Sequence, residues 1–376
     1  YGQELGLYGN LLVVPTDPGY WPPAHRELLL TLDDVLLEDG RIAPFDPAGP
    51  THAAMGRYGD VFLVAGETDP VLTARPHEVV RLHLTNTANT RVFDVALPGA
   101  ELKLVGGDSG RVEHEALVDH VVVAPSERVV VDARFGGPGE LALEHRTPGR
   151  THRLATVRVA GDPADRLPGE AFRVCRTNPE MARQRQRIEP HLITPPDKVL
   201  AFLAELDDAG DHRHHGHESG HHGHGHHPHH GHAAAGDGIE WEDHMVEANR
   251  RTTPANTRWL LVDRATGAVN DAIDWRFREG DQVKIRLVNE LAGDHPMHHP
   301  FHVHGAGRFL VLSRDGTPEP NLVWKDTVLV RTGETVDLLL DVTNPGRWMA
   351  HCHIAEHHET GMMLTFTVDP ARPGRR

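Results

Sequence analysis

Cysteine is scarce. Cys175 and Cys352 are the whole supply in 376 residues, and that scarcity by itself does not decide the compartment. Positive charge is also short. Lys and Arg number 38 against 54 Asp and Glu, a net charge of -16, which argues against a nucleic-acid surface and favours solubility. No run of eighteen apolar residues occurs, so no membrane span is expected. No signal peptide is legible, an absence that says little because there is no initial Met. The chain starts at Tyr1 and reads as beginning mid-protein. Aromatic residues make up only 5%. A hydrophobic content of 39% with short β-branched runs still suffices for packed cores, and the length suits two domains, with room for a remnant of a third.

Histidine is abundant, and its spacing carries the chemistry. Two stretches stand out: His295 to Gly305 (H-P-M-H-H-P-F-H-V-H-G) and His351 to Met362 (H-C-H-I-A-E-H-H-E-T-G-M). Side chains alternate faces along an extended strand. Cys352 therefore points one way, and His351 and His353 the other. One thiolate and two imidazoles can so feed two different metal sites. His357 lies five residues past Cys352, and Met362 five further on. A Cys, a His and a Met at that spacing, with one remote His, is the ligand set of a blue copper site: two His and one Cys in a plane with a weak axial thioether. The remote His comes from the first stretch. There His302 and His304 share one strand face, and His299 precedes Pro300, where a regular ladder is expected to break and free His299 to turn elsewhere.

These stretches resemble the C-terminal copper motifs of the multicopper oxidases, the family of laccases and cuprous oxidases. The matching segments are H-P-F-H-V-H-G (His299 to Gly305) and H-C-H-I-x-x-H-x-x-x-G-M (His351 to Met362). The resemblance implies that His299, Cys352, His357 and Met362 are type 1 copper ligands. It implies a type 2 role for His302 and type 3 roles for His304, His351 and His353. With Cys352 a thiolate ligand, no disulfide forms within the chain, and Cys175 is a lone thiol, buried or incidental. The family often has an acid directly after the second type 1 His, implicated in proton delivery. Here that position is His358, flanked by Glu356 and Glu359. His358 and Glu356 join Cys352 as catalytic candidates.

The fold expected is all-β: two cupredoxin-like Greek-key sandwich or barrel domains, with a remnant strand of a missing first domain. Residues 1–15 read as a turn and an apolar strand, the remnant. Residues 28–161 show short strands with turn signals, a copper-free middle domain. Residues 162–198, rich in Pro, Arg and Glu, read as a linker with a helix-like run near Pro179 to Ile188. Residues 199–370 read as the copper-binding domain. Its insertion at 211–232 holds twelve histidines in twenty-two residues. Such a tract cannot build a core; it reads either as a capture site for additional copper or as a solvated insertion. An internal repeat ties the two domains together. Glu78 to Asn86 matches Asp281 to Asn289, and Ser126 to Arg146 matches Gly333 to His353 without a gap, so that Glu144, His145 and Arg146 stand opposite His351, Cys352 and His353.

The activity implied is one-electron oxidation at a type 1 copper, coupled to four-electron reduction of dioxygen to water. The substrate stays open between small phenols and Cu(I). A full three-copper cluster takes eight histidines, and four candidates occur here; the others are expected in the absent first domain. A non-enzymatic copper-binding or electron-transfer cupredoxin module is the alternative. A two-domain copper nitrite reductase fits less well, because its type 1 Cys lacks histidines on both sides. Export, to a periplasm or the cell exterior, is expected from the resemblance alone.

Overall fold

The computed structural model describes residues 2–3, 5–44, 56–206, 236–242, 256–291 and 296–372. The His-rich tract at 211–232 and His295 lie outside the described residues. Two β-sandwiches follow one another. The first pairs a six-stranded sheet with a five-stranded one, built from strands between Arg26 and Val159. The second does the same with strands between Lys198 and Asp369.

Strand order makes the repeat physical. In the first large sheet the order is Val61–Val64, Arg26–Val35, Val79–Asn86, Arg128–Phe135, Ala100–Gly107, Gly110–Val118. In the second it is Thr257–Asp263, Lys198–Leu206, Gln282–Asn289, Thr335–Val342, Gly307–Arg314, Thr317–Pro318. The small sheets match too. His120–Val123, Phe93–Ala96, Gly139–Arg146, Thr151–Val159, Val71–Ala74 corresponds to Thr327–Val330, His299–Val303, Gly346–Cys352, Met363–Asp369, Trp275–Arg278. Apolar residues at alternate positions fill each sandwich, for example Leu82, Leu84 and Val131 in the first and Ile285, Leu287 and Leu338 in the second.

Several local expectations need correction. The apolar stretch of residues 10–15 forms no strand. It crosses the face of the first large sheet, where Thr85 Oγ1 donates to Asn10 Oδ1 at 2.7 Å. The strand beneath, Val79–Asn86, already has a partner on each side, so no ladder is open, and Leu11 and Val13 stay exposed. The apolar run from Phe301 to Leu312 reads as a single strand but forms two. It is cut after Val303, because Gly305 takes φ +38 and packs so tightly that a Cβ there would lie 2.0 Å from Trp348. Residues 270–272 form a 3-10 turn ahead of the strand Trp275–Arg278. Cys175 is exposed rather than buried.

The run expected to be helical extends over Pro179–Ile193. Asn178 caps it, its side chain accepting from Glu180 N–H at 3.1 Å, and Pro179 sits at the first position, where it loses no hydrogen bond. Met181 and Ile188 seal onto Leu310, Leu312 and Trp324 of the second sandwich. Among the described residues, no helix is long and apolar enough to cross a membrane.

Candidate metal centre

The site lies in the small sheet of the second sandwich. The strand His299–Val303 pairs with Gly346–Cys352 so that Phe301 faces Cys352 and His302 faces His351. Pro300 does not break this ladder, contrary to the sequence reading. It pairs with Leu329, and its carbonyl accepts from His353 N–H at 2.7 Å. Alternation alone separates the histidines. His299, Phe301 and Val303 face the core, and His302 faces the opposite way. Asn289 fixes the approach to this strand by donating to the Met297 carbonyl at 2.7 Å.

On the core side, His299 Nδ1 stands 3.2 Å from His357 Nδ1, and Cys352 Sγ stands 3.4 Å from the same nitrogen. All three side chains are buried. Met362 is buried in the same core as Cys352, and the backbone joins them: Cys352 N–H donates to Met362 O at 3.1 Å and Met362 N–H to His357 O at 2.8 Å. Metal–nitrogen bonds of about 2.0–2.1 Å at near-tetrahedral angles put nitrogens roughly 3.2–3.4 Å apart. The His299–His357 spacing therefore fits one shared ion, and two imidazoles, a thiol and a thioether suit copper. His299 Nε2 is buried with no hydrogen-bond partner among the described residues. Burial holds the His299 pKa well below the usual range and pushes the Cys352 thiol up. The imidazole is thus neutral and ready to ligate, and metal binding must expel the thiol proton.

Aromatic rings wall the set. Trp259 stacks on His357 with ring centroids 4.0 Å apart, and Phe202 meets His299 edge-on at 5.4 Å. Neither was foreseen. The sequence signal was only that both lie in apolar strand segments.

On the opposite face, four imidazoles gather. His302 lies 4.6 Å from His304, 5.7 Å from His351 and 5.8 Å from His353, ring centre to ring centre. His304 sits one residue past the strand end, yet its Nε2 comes within 2.8 Å of His351 Nε2. The hydrogen bonds set the tautomers. His351 Nδ1–H donates to the Cys352 carbonyl at 2.7 Å, which leaves Nε2 as a lone-pair donor. The Thr327 hydroxyl donates to Asp326 at 2.9 Å, so it accepts from His302 Nδ1–H at 2.9 Å, and His302 Nε2 is likewise left free to ligate. Burial lowers the pKa of His302 and His353 to about 4 and of His351 to about 3. All three are neutral at ordinary pH and able to offer a nitrogen lone pair to a metal. Beside His302 and His304 opens a groove of about 560 Å³, lined also by Ser109, Arg308 and Asp326.

The acid–base candidates part ways. Glu356 is buried, and its Oε2 accepts from Asn89 Nδ2 at 2.7 Å. His358 is half-buried, with its ring 4.9 Å from that of His351 and its Nε2 3.2 Å from Met363 Sδ.

The same corner of the first sandwich is built differently. By strand register Phe93, His145 and His152 stand where the second sandwich has His299, Cys352 and Met362. Glu242, from the segment 236–242, enters this corner. Its Oε1 lies 3.5 Å from His145 Nε2 and 3.6 Å from His152 Nε2, and it pairs with Arg91.

A two-sheet sandwich enclosing two imidazoles, a thiol and a thioether is a cupredoxin-type copper fold. Comparison with known proteins narrows this. Residues 242–372 match the family model described as multicopper oxidase. The multicopper oxidase mco of Staphylococcus haemolyticus is 42% identical over 313 residues, which cover 82% of this chain and 52% of that protein. The laccase of Bacillus subtilis is 23% identical over 367 residues, 91% of this chain and 62% of that protein. Two solved structures share the fold. The multi-copper oxidase of Pediococcus acidilactici has a TM-score of 0.61 at 22% identity, covering 93% of this chain and 61% of that one. That of Pseudomonas thermotolerans has a TM-score of 0.57 at 24% identity, covering 92% and 69%. Residues 242–372 thus carry a multicopper oxidase domain, and the relatives named here are multicopper oxidases and a laccase, all oxidoreductases. It spans about half the length of the staphylococcal relative.

Proposed function

We propose that this chain carries the electron-accepting half of a multicopper oxidase, with a type 1 site at His299, Cys352, His357 and Met362. One observation carries the reading. The buried His299–Cys352–His357 set lies back to back with His302, His304, His351 and His353, joined through the single residue Cys352. Copper, when bound, supplies one-electron acceptance on the core side and four-electron reduction of dioxygen to water on the other.

The residues do the rest. Cys352 and the two core histidines, with Met362 buried in the same core, would hold the ion, and their burial keeps water from it. His351 and His353 are the covalent neighbours of Cys352, and the His351 Nδ1–H to Cys352 carbonyl hydrogen bond adds a second through-bond link. The half-buried His358 ring beside His351 is the group positioned to pass protons; Glu356 is occupied by Asn89. A trinuclear cluster takes more than the four histidines gathered here. We assign the remaining ligands to a further polypeptide segment seated on the groove beside His302 and His304. The substrate is a small phenol or Cu(I), with the 211–232 tract holding additional copper. The site of action is the periplasm or cell exterior, as the laccase-like resemblance implies.

Copper per chain, read with absorption and paramagnetic resonance, tests this. The chain should take one copper in a site with an intense thiolate-to-copper band, and Cys352→Ser should abolish the band. A strong band surviving in that variant would sink the assignment. One copper and a blue band without oxygen uptake is the outcome expected of this chain alone, because the four histidines gathered here do not complete a three-copper cluster. Four coppers with oxygen uptake would favour the oxidase.

A further inference from the structure

The first sandwich reaches into the metal centre of the second. Its loop after the strand Val79–Asn86 is shaped by Asn86, whose side chain donates to the carbonyls of Arg91 at 2.7 Å and Val123 at 2.8 Å and accepts from Ala88 N–H at 2.9 Å. Arg91 anchors the far end on Asp34 at 2.9 Å and on the Gly59 carbonyl at 2.8 Å. Between these fixed points Asn89, buried, projects across to the short helix Ala355–Glu359, which carries His357.

That helix lacks a cap of its own. Ile354 stands at its N-cap and offers no side-chain hydrogen bond. Asn89 Oδ1 fills the role by accepting from Ala355 N–H at 2.9 Å, while its Nδ2 donates to Glu356 Oε2 at 2.7 Å. Donor and acceptor are both used, so only one orientation of the amide serves. There is no slack beside it. A Cβ on Gly56 would come 2.2 Å from Thr90 Oγ1 and 2.6 Å from Ile354 Cγ2.

We propose that Asn89 is a positioning residue for the type 1 centre: from the other sandwich it caps the His357 helix and holds Glu356, and thereby sets where the His357 imidazole stands relative to Cys352. This rests on the type 1 reading above. The copper-free sandwich is then a working part of the metal site, not a spacer. The control runs through Glu356, one residue before His357, and through Ala355, which begins the helix turn bearing it.

Polarity exchange tests the proposal in the full chain titrated with Cu(II). Asn89→Asp keeps the cap but sets a carboxylate against Glu356. Copper affinity, read through the thiolate band in competition with a chelator, should fall about 10- to 100-fold, as for other groups that orient metal ligands. The hyperfine splitting should change with it. Glu356→Gln alone, where Asn89 can still donate to the amide oxygen introduced there, sets the reference affinity and spectrum for the double variant. In the double variant Asn89→Asp/Glu356→Gln, the new amide at position 356 donates to the new carboxylate at position 89, and affinity and spectrum should return. Far-UV dichroism and urea midpoints of the copper-free proteins accompany each titration. Loss of copper-free stability with copper affinity and spectrum unchanged would mean a merely structural contact and overturn the proposal. So would a double variant no better than the single one. If Asn89→Asp does not fold, the double variant against Glu356→Gln decides: parent-like binding supports the proposal, and weak binding overturns it. A parent chain with no thiolate band would overturn the type 1 reading and this inference with it. A parent band that Asn89→Asp leaves unmoved overturns this inference alone.

Discussion

At the scale of single residues, the division of labour around Cys352 follows from strand alternation. The residues on either side of it face a different pocket, and this much was readable before any coordinates. So were the meeting of His299 and His357 with Cys352 and the placing of Met362 in the same core, because the motif restricts both residue type and spacing. Trp259 and Asn89 were not readable. Trp259 acts by lying flat on His357 at 4.0 Å, and a tryptophan in an apolar strand reads as core. Asn89 acts across 267 residues of sequence, a separation no local pattern encodes. Trp259 is buried, so Trp259→Ala should leave a large cavity against the imidazole and cost about 3–5 kcal/mol. Urea unfolding of the copper-free protein measures this; a loss under about 1 kcal/mol would mean the site collapses around the gap.

At the scale of elements, the strands that carry the site were legible, and the irregular pieces were not. The ladder through Pro300 and the unpaired stretch at 10–15 both depend on which neighbours are already taken, a tertiary fact. The segment 236–242 is the plainest case. Nothing in the sequence singles it out, yet Tyr58 Oη donates to the Glu240 carbonyl at 3.1 Å and Glu240 N–H donates to His298 Nδ1 at 3.0 Å. Two of its carboxylates, Glu240 and Glu242, titrate in opposite senses. Burial raises Glu240 from 4.5 to about 7. Burial also opposes ionisation of Glu242, but His145 and Arg91 overcome it and hold that group at about 2. The signs differ accordingly. Between pH 4.5 and about 7 the folded protein keeps the Glu240 proton that the unfolded chain has lost, so this group's contribution to stability falls as pH rises through that window. Glu242 contributes stability above its ordinary carboxylate range and loses it as pH falls toward about 2. Glu240→Gln should remove a downward slope worth on the order of 2–3 kcal/mol between these limits. Urea midpoints from pH 4.5 to about 8 check it, and an unchanged slope would refute it.

At the scale of the whole molecule, the repeat foretold two copies of one fold but not how they are fastened. The fastening is polar and buried. Lys325 of the second sandwich reaches Asp108 at 3.2 Å and Glu127 at 3.1 Å in the first, while Arg128 grips Asp326 with both terminal nitrogens at 2.6 Å. Burial works against the charge on Lys325, but its two carboxylates prevail and raise its pKa, whereas burial raises that of Asp108. Lys325→Met removes one cation from a buried network and should cost about 3–5 kcal/mol. Calorimetry should also show one cooperative transition splitting in two; a single sharp transition at the parent temperature would mean the sandwiches are joined by other means.

The corner holding Phe93, His145, His152 and Glu242 has its own consequence. Its counterpart in the second sandwich brings together His299, Cys352 and His357, a set able to hold a metal ion. This one closes on a carboxylate of the same polypeptide, drawn from beyond the His-rich tract. With a phenylalanine and two imidazoles in place of the histidine, thiol and thioether, this corner receives the carboxylate of Glu242 instead. The segment that follows the tract is thereby moored at the corner that matches, by strand register, the candidate metal centre.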